Sequence, residues 1–414
     1  MQCFDTYYNR FNVFDAHIKE LPNPETKTIV VIPSYNEPNI APSLLALLKC
    51  KPTQYPVEVI VVVNSPENAS EEVLNQNQST IETVNTISSQ NTRRDIKIYC
   101  IHRPNLPKKH AGVGFARKIG MDEAVRRFDQ IENKSGIIVN FDADSLCNYE
   151  YLYQIEQYFI KNPKKEAISI YFEHPLEGEE YPQENYKAIA KYELYLRYYL
   201  QAQKYSKFPF AYHTIGSAFA VKAYVYTAEG GMNRRQAGED FYFLQKIIPR
   251  QRFGELNTAQ VYPSPRCSIR VPFGTGASIT KMCTDCEQYL VYNPEAFEIL
   301  KRFFETAHNF RTNNQVDIDS RLKLYLEQND FFKAIDNMKN NSTTEKTFMQ
   351  RFFTWFDAFR LLKFLNYIHE NQLSKIGVEQ ASLYILNKIG ISEQTLDTKQ
   401  LLKIYREIEL KKQK

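Results

Sequence analysis

TIVVIPSYNEP (28–38) sets the reading of this chain: an apolar, β-branched run ends in a polar turn bounded by prolines. A short apolar run closed by turn residues reads as a buried strand, and Pro38 suits the first turn of a helix over 38–49. The same grammar recurs downstream. VEVIVVV (57–63), IKIYCI (96–101) and GIIVNFDAD (136–144) read as strands, with a polar surface helix over 71–91 and a stronger one over 111–128 between them. Continuous apolar strands alternating with helices predict an α/β fold with a mostly parallel, Rossmann-like sheet covered on both faces. Ligands of such sheets lie beyond the carboxyl ends of the strands. Ser34–Glu37, Asn64, His102–His110 and Asp142–Asp144 all fall there.

Further along, 149–160 reads as helix, 167–173 as strand, and 184–205 as a long tyrosine-rich helix. The segment 213–226 begins as strand, a GGMNRRQ loop follows, 238–248 opens another helix, and 261–276 is a Pro/Gly-rich loop. Beyond Cys283 the pattern is helical to the end. The expected organisation is an N-terminal segment (1–26), a catalytic α/β domain (27–282) and an all-helical C-terminal domain (283–414). Within the last, FMQRFFTWFDAFRLLKFLNYI (348–368) reads as one helix, apolar on most faces. Its aromatic stripe has two readings: a face packed on the catalytic domain or inside its own helical bundle, or an exposed face for a protein partner, a second copy or the inner face of a membrane, the membrane disfavoured by the few Lys and Arg on its polar side.

Composition narrows the class. Of 414 residues 43% are hydrophobic and 24% charged, as in an ordinary globular protein. A net charge of +4 on 52 basic and 48 acidic side chains leaves no electrostatic footprint for nucleic acid. The 28 tyrosines serve as core filler or as stacking surfaces for flat ligands. Seven cysteines lack framework spacing, and the Cys283–Cys286 pair has no second pair to complete a zinc site. No run is long and apolar enough to span a membrane and the start lacks a signal core, so the expected location is the cytoplasm, including the inner face of its membrane.

The chemistry concentrates in a few places. Asp142 and Asp144, at the end of a buried strand, suit a hard divalent cation, Mn²⁺ or Mg²⁺, that shares its shell with substrate phosphate. The competing reading is a solvated turn. In PSYNEP, Tyr35 can stack on a base and Glu37 can accept ribose hydroxyls, although a plain surface turn would look alike. GVGFAR (112–117) lacks a third glycine, so Gly112 and Gly114 read as aids to close packing. Glu239 and Asp240 head a helix, where acids complement the dipole, and one of them could serve as general base. Arg266 and Arg270 could neutralise a diphosphate or be ordinary surface arginines.

Taken in order, IPSYNEP, VVVNS, RKIGMDEA, VNFDADS, TIGSAFAVKA, GGM and GEDFYFLQK resemble glycosyltransferase family 2, of the GT-A fold, over about residues 27–276. The likeness is to bacterial members without membrane helices. It implies a nucleotide-sugar donor, UDP-sugar favoured, held by Pro33, Tyr35, Glu37 and Asn64, with Arg117 and Lys118 approaching the diphosphate. It further implies that Asp142 and Asp144 bind metal and donor, and that Asp240, beside Glu239, is the inverting base. Family members usually carry Asp where Asn64 stands, which leaves the choice of base open. The function expected is transfer of a sugar to a hydroxyl of a glycan or lipid-linked acceptor. The alternatives are a nucleotidyltransferase, disfavoured by the lack of a Gly-rich basic loop after the first strand, and a catalytically silent binding subunit.

Overall fold

A computed structural model of the chain describes residues 4–11, 15–109, 111–234, 238–268, 274–285, 288–312, 316–392 and 396–411. Helix α1 (Asp5–Phe11) precedes β1 (Thr28–Ser34), α2 (Ala41–Leu48), β2 (Val57–Pro66), α3 (Glu71–Gln90), β3 (Ile96–Leu106), α4 (Val113–Gln130) and β4 (Ile137–Asn140). A two-residue strand β5 (Leu146–Cys147), α5 (Tyr151–Lys161), β6 (Ala167–Phe172) and α6 (Gln183–Tyr205) follow. Then come β7 (Phe219–Lys222), α7 (Ala223–Ala228), α8 (Glu239–Ile247) and β8 (Phe253–Tyr262). The eight strands form one sheet in the order β3-β2-β1-β4-β7-β6-β8-β5. Its β3-β2-β1-β4 half is parallel throughout, whereas β7 runs antiparallel to both β4 and β6.

The parallel half is the core. Ile29 to Ile32 and Val59 to Val63 are entirely buried, with helices on the sheet. Burial of each such side chain stabilises by roughly 1.5–3 kcal/mol, which is why these strands read as unbroken apolar runs. Three segments depart from expectation. Regular pairing of β4 stops at Asn140, so Asp142 and Asp144 lie in a tight turn in which the Ser145 amide bonds the Asp142 carbonyl at 3.1 Å. The 213–226 segment becomes strand only at Phe219, and turns helical at Ala223. Strand β8, FGELNTAQVY, was not expected at all: it pairs parallel with β6, from Ala167 opposite Phe253 to Phe172 opposite Val261, with a register shift midway.

Two compact units result: Met1–Tyr186 with Thr214–Lys281, and Lys187–His213 with Met282–Lys414. The N-terminal segment groups with the sheet because Tyr7 donates to Asp122 of α4 at 2.6 Å and its ring meets Tyr226 at 5.8 Å. Residues 187–213 group with the C-terminal helices instead. Tyr195 meets Tyr289 at 5.8 Å, Tyr199 meets Phe297 at 6.2 Å, and the wholly buried Arg197 pairs with Glu193 and Glu409.

The C-terminal part runs through α9 (Thr275–Asp285), α10 (Pro294–Thr306), α11 (Ser320–Gln328), α12 (Phe331–Asn340), α13 (Glu345–Trp355), α14 (Ala358–Asn371), α15 (Val378–Lys388) and α16 (Thr398–Lys411). The aromatic stretch expected as one helix is two, because Asp357 leaves the helical path and caps α14 by accepting the Arg360 amide at 2.9 Å. Phe348, Phe352, Phe356 and Phe364 are fully buried, and Phe352 and Phe356 close on Phe303 at 5.6 and 5.8 Å. These rings form a packing core of the second unit, while Phe359, Leu362 and Tyr367 keep partial exposure.

Gly120 shows how tightly α4 sits on the sheet. A Cβ there would come within 2.5 Å of Val31 Cγ1 and 3.0 Å of Val62 Cγ2. Gly120→Ala should destabilise by about 1–3 kcal/mol, although alanine favours helix by nearly 1 kcal/mol. Adding Val31→Ala should restore part of the loss, so urea denaturation of the single and double variants should give a strongly non-additive cycle.

Candidate active site

At the carboxyl edge of the parallel strands, two arginines each gather carboxylates. The first is Arg117, near the start of α4 and only 3% exposed. Its Nη2 donates to Asp142 Oδ1 at 2.6 Å, its Nε to Glu239 Oε1 at 2.9 Å, and its Nη1 to the Gly216 carbonyl at 2.8 Å. Gly216 has room for no side chain: a Cβ would lie 2.8 Å from Arg117 Nη2 and 3.0 Å from Asp240 Oδ2. The Asp240 carboxylate therefore comes to the same spot, its Oδ1 accepting the Phe241 amide at 2.7 Å.

Asp240 is electrostatically unusual. Burial, then the neighbouring Glu239 charge, push its pKa up to about 7, and the Arg117 guanidinium and Phe241 amide only partly offset this. The chain reaches this geometry by local means. Gly238, just before α8, has φ +71, a left-handed conformation natural to glycine, and the next two residues place their acids in the first helical turn.

The second arginine, Arg266, makes a bidentate pair with Glu37, at 3.0 Å to Oε1 and 2.7 Å to Oε2, and also reaches Asp144 Oδ2 at 3.0 Å. Glu37 is held from behind as well: its carbonyl accepts Gln76 Nε2 at 2.8 Å and Thr80 Oγ1 at 3.1 Å. Asn36 takes a positive φ of 48° in this turn, and its amide donates to Asn77 Oδ1 at 2.9 Å. Asn77 in turn donates to the Asn64 carbonyl at 3.0 Å, tying the ends of β1 and β2 together. Ser43 of α2 donates to the Ala143 carbonyl at 2.7 Å and so fastens the acidic turn.

Of the residues singled out in the sequence, Glu37, Arg117, Asp142, Asp144, Glu239, Asp240 and Arg266 thus fall into these two clusters. Tyr35 is half-buried, and Pro33 and Asn64 are buried at the ends of β1 and β2. Asn64 Nδ2 lies 3.4 Å from the Ala111 carbonyl. Lys118 does not join either cluster. One residue past Arg117, it turns away to donate to Tyr7 Oη at 2.9 Å and Asp122 at 2.8 Å. Arg270 lies outside the described residues. Sequence reasoning gave no role to Gly216 or Asn77. The first sits in TIGSAFAVKA, whose small residues were a signal for close approach, whereas Asn77 lies in a weakly periodic helix that offered none.

The donor set also bears on a metal. Among the described residues no three His, Cys, Asp or Glu side chains come together to cage an ion. Asp142 and Asp144 are about one-third exposed, two residues apart in a fixed turn, and each gives one oxygen to a guanidinium. That arrangement fits Mg²⁺ or Mn²⁺, which take one or two carboxylates and complete their shell with phosphate oxygens and water.

Residues 29–226 match the model of the family described as glycosyl transferase family 2. No curated protein matches the chain in sequence. Among solved structures, S. aureus TarS 1–349 is similar at 13% identity, covering 84% of this chain and 92% of that one with a TM-score of 0.40. Its complex with UDP-GlcNAc gives 14% identity, 93% and 90% coverage and a TM-score of 0.40. Its complex with UDP gives 12%, 92% and 92%, and 0.39. The family match takes in Arg117, Asp142 and Asp144 and ends before Glu239 and Asp240, which the fold nevertheless returns to Arg117. Residues 29–226 thus carry a glycosyl transferase family 2 domain, and the chain is a glycosyltransferase.

Proposed function

We propose that the enzyme transfers its sugar with inversion, assisted by a divalent cation, from a UDP-sugar to a hydroxyl of a glycan or lipid-linked acceptor. The observation that carries this reading is the Asp240 carboxylate, brought to Gly216 and Arg117 with its pKa near 7. A general base works best when its pKa is close to the working pH, since it is then both available and strong enough to take a proton. Asp142 belongs to the same cluster yet keeps one-third exposure and a direct guanidinium contact. Two carboxylates in different environments suit two roles.

In this scheme Tyr35, Pro33 and the Asn64 end of β2 face the nucleoside, and Glu37 accepts ribose hydroxyls. Asp142 and Asp144 would hold the cation, which supplies charge to the departing nucleoside diphosphate. Arg266 supports the diphosphate from the Glu37 side, with Arg270 proposed beside it. Arg117 holds Asp142 in place, and its charge keeps Asp240 from rising further. Glu239, buried against Arg117 Nε, is a positioning residue for that guanidinium. Asp240 removes the acceptor proton while the acceptor oxygen attacks the anomeric carbon from the face opposite the leaving group.

Four outcomes test this. Asp240→Asn should lower kcat by about two to four orders of magnitude with donor affinity nearly unchanged. Near-normal turnover, or a product of retained anomeric configuration, would sink the scheme. Because the base must be ionised, wild-type kcat/KM should fall as pH drops through about 7. The same raised pKa means that burying this acid costs stability as pH rises through the folded value, so Asp240→Asn should gain in Tm over wild type at pH above 7 and much less in acid. Asp144→Asn should lose Mn²⁺-dependent donor binding in titration calorimetry while keeping its Tm; unaltered binding would remove the metal from this site.

A further inference from the structure

A cavity of about 920 Å³ opens in the first unit, lined by α1, α4, α7 and the Gly230–Arg234 loop. We propose that it is an anion subsite receiving phosphate groups carried by the acceptor. The inference rests on the reading of Asp240 as the base that meets the acceptor hydroxyl.

Charge is the first reason. Arg10, Lys134, Arg234 and Lys246 line the cavity with exposed cationic ends. The one carboxylate among the lining residues, Glu229, is taken by Arg250 Nη1 at 2.8 Å. Arg10, Lys134 and Arg234 have no carboxylate at ion-pair distance among the described residues; Arg10 lies over Phe11 at 5.3 Å and Arg234 over Phe115 at 5.0 Å. Unneutralised cations around one concavity repel each other and hold a positive potential that an anion relieves. Doubly charged phosphate relieves it with half as many groups as carboxylate would need.

The floor is built rather than incidental. Phe4, Tyr7 and Met232 are buried beneath the rim. Tyr7 is fixed by its bond to Asp122, which also accepts from Tyr226 at 2.7 Å and Lys118 at 2.8 Å. Gly231, at φ +71, presses so close that a Cβ would meet Tyr7 Oη at 2.2 Å. Such a floor gives an apolar surface for the carbon skeleton between acid groups. The volume exceeds that of a lone phosphate and lies in the range of small-ligand sites, about 300–1,000 Å³.

Connectivity supplies the link to catalysis. Lys118 lines the cavity, and the residue before it, Arg117, holds Asp142 and Glu239. Arg234 precedes Asp240 by six residues, a span of at most about 20 Å even when fully extended. A chain presenting its hydroxyl to Asp240 can therefore lay a neighbouring phosphate in the cavity.

The test uses the full chain and inorganic tripolyphosphate as probe. Titration calorimetry should give saturable binding that weakens as NaCl is raised. The Arg10→Gln/Lys134→Gln/Arg234→Gln variant should bind about tenfold more weakly or worse. With the nucleotide sugar the enzyme hydrolyses, a phosphorylated oligosaccharide should show a lower KM than its dephosphorylated form, and the variant should erase that difference while kcat is retained. Absence of saturable binding, equal binding by the variant, or equal KM for the two oligosaccharides overturns the subsite. Hydrolysis of the donor by the same wild-type preparation reads the enzymatic scheme separately, so the two assignments fail independently.

Discussion

The buried Arg117 guanidinium is the constraint on which the rest of the site depends. Stripped of water, it is compensated by Asp142 from the turn after β4, Glu239 from the start of α8, and the Gly216 carbonyl before β7. Three segments far apart in sequence are thereby brought to one planar fork. Removing such a buried cation leaves its carboxylates uncompensated, which typically costs about 3–5 kcal/mol. The fork also sets the balance at Asp240. Without its charge, burial and Glu239 would raise that carboxyl further, beyond the range useful to a base at neutral pH.

The sheet makes this meeting possible. Parallel pairing of β3, β2, β1 and β4 delivers the PSYNEP turn, Asn64 and the acidic turn to one edge. Strand β7 pairs antiparallel with β4, bringing Gly216, just before its start, to that edge too. Asn77 and Ser43 then pin the turns from the covering helices. The second arginine, Arg266, joins Glu37 to Asp144 across the same edge. Asp142 and Asp144 are thus both paired with guanidinium groups, which fixes the acidic turn in place.

The second unit follows a different rule. Its helices are held by aromatic packing, with Phe303, Phe331, Phe352 and Phe356 sharing one core, and by the buried Arg197 between Glu193 and Glu409. Arg406 also bonds Glu193, and although burial pushes the Glu409 carboxyl up, the charges of Arg197 and His213 prevail and hold its pKa down to about 2. Within the described residues, no helix of either unit is long and apolar enough to cross a membrane.

The sequence alone determined the parallel core, because strands buried on both faces have to be apolar at every position, and that signal is local. It also placed Glu37 after the first strand and Arg117, Glu239 and Asp240 at helix starts, since strand ends and helix starts can be read from neighbouring residues. It did not reveal β8: Glu255, Asn257, Thr258 and Gln260 interrupt its apolar pattern, and its partner β6 lies more than eighty residues away. Nor could it separate Arg117 from Lys118. Successive helical positions differ by about 100° around the axis, so one side chain meets Asp142 and Glu239 and the other turns to Tyr7 and Asp122. The environments of Glu239 and Asp240 were likewise indistinguishable as a dipeptide. Only the tertiary structure separates them, by placing one acid in a salt bridge and the other beside a like charge, where its pKa is pushed up to about 7.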